Sequence, residues 1–128
     1  MFKESPAFSG FSTNDLAAAK AFYQNVLGLK ADEELEAMGM LKLTFATGGS
    51  VIIYQKDNHQ AATYTVLNFP IDDIDEAVKQ LKAKDVVFEQ YEGITDEDGI
   101  ARGKAANRGP DIAWFKDPAG NILSVLSD

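Results

Sequence analysis

Apolar residues recur at helical spacing twice along the chain. Leu16, Ala19, Tyr23, Val26 and Leu27 fall on one face of a 3.6-residue period, which predicts an amphipathic helix over residues 15–27. Asn14 or Asp15 can accept its free N-terminal N–H groups, and Gly28 suits the left-handed position that ends it. Ile74, Ala77, Val78 and Leu81 repeat the spacing, and Asp73 with Glu76 three residues on reads as a capping box with Asp in place of Ser or Thr. A short alternating or apolar stretch precedes each helix, "AFSGFS" and "TYTVLNF". Further strands are expected at about 41–47 and 51–56, then at 86–91, 111–115 and 122–126, with a weak one at 30–36.

Each half therefore reads as strand, helix, then two or three strands. A shift of 58 residues pairs Phe11 with Phe69, Asp15 with Asp73 and Ala19 with Ala77. A shift of 71 pairs "TGGSVIIY" with "PAGNILSV", placing Gly49 on Gly120. The difference falls in "YEGITDEDGIARGKAANRGPD", residues 91–111, expected to be a long loop. The chain is read as one domain built of two modules, about 1–60 and 61–128.

Composition narrows the chemistry. Twelve basic against twenty acidic residues give a net charge of -8, unsuited to nucleic acid, whose phosphates need a concentrated basic surface. With no cysteine there is no disulfide, thiolate nucleophile or cysteine-ligated metal. No apolar run approaches the roughly 20 residues of a membrane helix, and "MFKESPAFSG" lacks the apolar stretch of a signal peptide, so no membrane partner and a cytoplasmic address are expected. No phosphate-loop motif is present. The single histidine, His59 in "KDNHQA", reads as a surface residue and leaves no serine–histidine–acid triad.

"NDLAAAKAFYQNVLGL" resembles the D-L-x-x-A-x-x-F-Y-x-x-x-L-G-L segment of the vicinal oxygen chelate superfamily, and "FKDPAGNILSV" resembles its D-P-x-G-N-x-x-E-x ending. That superfamily includes glyoxalase I, extradiol dioxygenases and bleomycin-resistance binding proteins. With "FPIDDIDEAV" the likeness spans nearly the whole chain. It implies an α+β fold of two βαβββ modules forming an open half-barrel around a cavity, and a homodimer. In its metal-dependent members, four strand positions supply the ligands. One stands seven residues before each helix-starting aspartate, here Phe8 and Val66; the other lies four after the glycine of each final turn, here Ile53 and Ser124. None of the four is an imidazole or a carboxylate, so no metal and no cofactor are expected.

The expectation is a metal-free protein that binds a small organic molecule in the cleft between its modules, as in sequestration of a toxin or antibiotic. Phe8, Ile53, Tyr54, Val66, Asn68, Tyr91, Trp114 and Ser124 are its candidate lining. Arg102, with Lys104 and Arg108, either grips an anionic ligand from the long loop or only keeps a surface loop solvated, and the net charge of -8 would instead draw a cation, so the sign of the ligand stays open. One alternative is a metal-independent isomerase or lyase using Glu89 or Tyr91. A metal-dependent glyoxalase or dioxygenase and a ligand-free interaction module are the others.

Overall fold

A computed structural model describes residues 1–128, which divide into two compact units, Met1–Gln60 and Ala61–Asp128. The first runs β1 (Ser9–Thr13), α1 (Leu16–Ala21), β2 (Lys30–Asp32), β3 (Met40–Thr44) and β4 (Ser50–Gln55). The second runs β5 (Thr65–Pro70), α2 (Ile74–Lys82), β6 (Ile100–Arg102), β7 (Asp111–Lys116) and β8 (Ile122–Ser127). Both are βαβββ, and their sheets have equivalent orders, β1-β4-β3-β2 and β5-β8-β7-β6, with parallel β1–β4 and β5–β8 pairs and antiparallel pairs elsewhere. Neither sheet closes on itself. No helix is long and apolar enough to cross a membrane.

Alternation assigns the two faces of each sheet. In the first unit Phe11, Leu41, Leu43, Val51 and Ile53 are buried beneath Ala19 of α1 and Tyr23, whose ring lies 6.3 Å from that of Phe11. In the second, Leu123, Val125, Ala113, Phe115 and Ile100 are buried, with Ile74 and Val78 of α2 packed on that side. Both helices start as the sequence indicates: the Asp15 carboxylate accepts from Ala18 N, and Asp73 from Glu76 N. The first ends differently, passing into a π-helical turn over Phe22–Val26 before Gly28 takes φ +69°.

Three predicted elements are corrected. Residues 86–91 form no strand. Phe88 makes one bridge to Phe115, and Tyr91 N is then taken by the Thr95 hydroxyl at 2.8 Å, which curls the chain away from the ladder. The 91–111 segment is not loop throughout, since β6 lies inside it and pairs with β7. The weak strand at 30–36 stops at Asp32, whose carboxylate accepts from Glu34 N and caps a 3-10 helix, Glu33–Met38.

The repeat itself also shifts by one residue. The β3–β4 turn closes with Phe45 N to Gly49 O and Gly48 N to Phe45 O; the β7–β8 turn closes with Asp117 N to Asn121 O and Gly120 N to Asp117 O. Gly48 (φ +106°) is thus the counterpart of Gly120 (φ +84°), an offset of 72 rather than 71. A left-handed residue is required at that point of each turn, and glycine meets it without a Cβ penalty. The neighbouring Gly49 made the sequence match ambiguous.

Candidate functional site

On the face of the second sheet away from α2, three predicted residues stand side by side: Ser124 of β8 is in register with Asn68 of β5 on one flank and Trp114 of β7 on the other. Ser124 is fully buried, and its hydroxyl lies 2.6 Å from Asn68 Oδ1. Tyr91 packs edge-on against Trp114, ring centroids 5.5 Å apart at 65°. It is brought there by Glu89 N, which donates to Trp114 O at 2.8 Å. Glu89, one of the two proposed proton carriers, is held in an ion pair with Lys116 at 3.2 Å. Half-buried Ile112, Ile122 and Leu126 complete this face. Physically it is an aromatic wall beside an amide–hydroxyl pair, the mixture from which small-molecule sites are made.

In the first unit, Tyr54 lies on the sheet face away from α1, in register with Ser12 and Met40 and 40% exposed. Phe8 precedes β1 and is 67% exposed. Ile53 is not on that face. It pairs with Phe11 and Leu41 and is completely buried on the helix side. The 72-residue offset explains the error, because Ile52, in register with Gly10 and Lys42, is the counterpart of Ser124. His59 is likewise not a plain surface residue: half-buried, it places Nδ1 2.6 Å from Ser12 Oγ. Sequence reasoning missed Ser12 and Ile52, although the alternation of β1 and β4 carried a signal for both.

The residues present do not fit the metal of the metal-dependent members. With the offset corrected, the four positions that the resemblance assigns to metal ligands are Phe8, Ile52, Val66 and Ser124. Val66 also sits at a register shift, where the pairing passes from Thr65 with Ile122 to Leu67 with Leu123. Phenyl and aliphatic side chains offer no lone pair, and the Ser124 hydroxyl is engaged with Asn68. No group of three or more His, Cys, Asp or Glu residues is arranged to hold an ion.

Arg102, predicted as a ligand-gripping cation, is paired within its own unit. Its guanidinium binds Asp75 of α2 through two hydrogen bonds, 2.6 and 3.1 Å, and Asp96 through a third at 3.0 Å. The pairing raises the Arg102 pKa and, through the hydrogen bond from Arg102, lowers that of Asp75. Burial pushes Asp96 upward, but the N–H groups of Ile100 and Asp98 and the Arg102 guanidinium outweigh it and leave its pKa lowered. Lys104 lies near Asp111 at 3.9 Å and Ser127 at 3.4 Å. These two cations strap the segment to its own unit, while Arg108 borders a cavity of about 480 Å³ with Ile94, Thr95, Arg102, Ala106 and Ile112.

Solved structures share this fold. A glyoxalase family protein from Bacillus anthracis is 18% identical with a TM-score of 0.72, over 98% of this chain and 95% of that one. A glyoxalase/bleomycin resistance protein/dioxygenase superfamily member from Sphaerobacter thermophilus is 21% identical with a TM-score of 0.71, over 99% and 100%. The fosfomycin resistance protein FosX from Listeria monocytogenes is 18% identical with a TM-score of 0.69, over 96% and 90%. No curated protein matches the sequence. The sequence profile of the Glyoxalase/Bleomycin resistance protein/Dioxygenase superfamily matches residues 9–125, nearly the whole chain. The paired βαβββ units and this match together place the chain in that superfamily.

Proposed function

We propose that this superfamily member binds a small organic molecule without a metal ion, and that sequestering a toxic compound or antibiotic is its role. What supports the reading is the donor set: Phe8, Ile52, Val66 and Ser124, at the positions that the resemblance assigns to the metal ligands, include no imidazole and no carboxylate. The aromatic and amide groups around Asn68, Trp114 and Tyr91 support it. A binder needs such a surface and nothing more. Two of the solved relatives carry names that include antibiotic resistance, fosfomycin in one and bleomycin in the other, which makes those compounds sensible first ligands here.

The test is a thermal-shift and calorimetric screen of chelator-treated protein against bleomycin, fosfomycin, glutathione conjugates, catechols and small carboxylates, each with and without nickel, zinc or iron(II). Saturable binding that is indifferent to metal, with the ligand recovered unchanged, is the expected result. At one hundred times its dissociation constant a ligand adds roughly 2.7 kcal/mol of stability, a rise of several degrees. Binding or turnover that appears only with metal would overturn the reading.

A further inference from the structure

The hydrogen-bonding polarity of the Asn68–Ser124–Trp114 row narrows the ligand class, an inference that rests on the binding reading above. At 2.6 Å the Ser124–Asn68 contact has the length of an O–H···O bond and is short for N–H···O. The Ser124 hydroxyl therefore donates to Asn68 Oδ1. That consumes the amide's acceptor and leaves its NH2 group, which makes no hydrogen bond within the chain. Asn68 is itself exposed.

One neighbour repeats the asymmetry, and a second adds a donor. The Trp114 indole N–H can only donate, and it too has no hydrogen-bond partner in the chain. The Tyr91 hydroxyl, on the ring packed against Trp114, is also unpartnered and can donate or accept. The one strong acceptor nearby, the Glu89 carboxylate, is neutralised by Lys116 at 3.2 Å. The face thus presents π surface and N–H or O–H donors, with its principal acceptors already engaged.

We infer that the ligand of this face is an aromatic compound carrying acceptor oxygens, an aryl carboxylate or aryl carbonyl, rather than an aromatic amine or ammonium compound. The ring stacks on Trp114 or Tyr91, and the oxygens take the Asn68 amide and the free aromatic donors. This runs against the overall charge of -8, which by itself favours cations. The two effects therefore predict opposite orders of affinity.

Trp114 is the only tryptophan, so intrinsic fluorescence reports this face without any substitution. Benzoate and benzylammonium, one ring with opposite hydrogen-bonding ends, are titrated into the full chain at 1 M salt, where the Debye length is about 3 Å. Saturable change with benzoate at roughly tenfold lower concentration than with benzylammonium supports the inference, tenfold being the smaller end of a charge-assisted hydrogen bond. Asn68→Asp keeps the acceptor for Ser124 and removes the NH2 group, so it should reverse the order. Equal affinities, or a preference for benzylammonium in the native protein, would overturn the donor assignment and leave the binding face standing. Emission unmoved by either probe, when the screen above does find ligands, would show that ligands do not use this face; emission unmoved with an empty screen would remove the binding reading as well.

Discussion

Asp117 opens the turn between β7 and β8, and replacing it with alanine should be among the most destabilising single changes in the second unit. Its Oδ1 accepts from Ala119 N and Asn121 N, and its Oδ2 from Asn121 Nδ2, all at 2.9 Å. Asp117 and Asn121 are 5% and 2% exposed, so truncation leaves donors with little access to water. Each hydrogen bond to a charged group is worth about 1.5–3 kcal/mol, and because three share one carboxylate the expected loss is about 3–5 kcal/mol rather than their sum. For 128 residues the unfolding entropy is about 0.27 kcal/mol/K, which converts that loss to a fall in Tm of roughly 11–19 °C. Asp117→Asn keeps an oxygen for the two backbone donors and sets NH2 against NH2 at Asn121, so it should fall between. The variant should still fold, because the β3–β4 turn makes the same backbone bonds with Phe45 at the corresponding position. Thermal and urea melts of the three proteins are the assay. An Asp117→Ala midpoint within about 4 °C of the parent, roughly 1 kcal/mol, would refute the account.

Two further tests address register and charge. Ile53→Ala should cost about 2–5 kcal/mol in urea unfolding, as a completely buried side chain, while Ile52→Ala on the opposite face should cost clearly less; equal losses would contradict the assigned register. Arg102→Met should remove the depression of the Asp75 and Asp96 pKa values. A depressed carboxylate contributes stability above its unfolded pKa of about 3.9 and loses it as pH falls through the lower folded value. The stability gap between the parent and Arg102→Met should therefore hold steady from pH 8 to about 5 and shrink below about pH 4. A gap that widens in acid would show that Arg102 does not hold these carboxylates ionised.

The fold was legible because its determinants are local. Helix starts depend on Asp15 and Asp73, each acting three residues away, and the strand faces follow from alternation of residues such as Leu41, Leu43, Val51 and Ile53. The failures lie where partners distant in the chain decide. Residues 86–91 alternate well enough for a strand, yet Phe88 finds a single bridge at Phe115 and Thr95 captures the next free N–H. Residues 100–102 lack an obvious strand pattern, yet pair with β7 because Asp96 accepts from Ile100 N and Arg102 Nε and holds the segment against the sheet edge.

The site shows the same division more sharply. Asn68, Ser124 and Trp114 do fall in register with one another on neighbouring strands, and Ser124 and Trp114 lie an even number of residues from Gly120, so the count along those strands keeps their face. Ile53 was misplaced because "TGGS" offers two glycines, and only the left-handed φ of Gly48 tells which one turns the chain. A one-residue error along a strand moves a side chain through the sheet, from the open face to the core. The slip leaves the donor chemistry at that position unchanged, since Ile52 is no better a metal ligand than Ile53. What no count could supply is pairing across the sheet. Ser12 and His59 are 47 residues apart in sequence, and Arg102 and Asp75 are 27 apart. The first pairing draws a predicted loop histidine toward the strands, and the second gives a predicted ligand cation partners within its own unit. Electrostatic roles assigned from sequence are thus the most fragile: an arginine in a charged loop finds its counter-ion in the nearest carboxylate, and here the fold provides two.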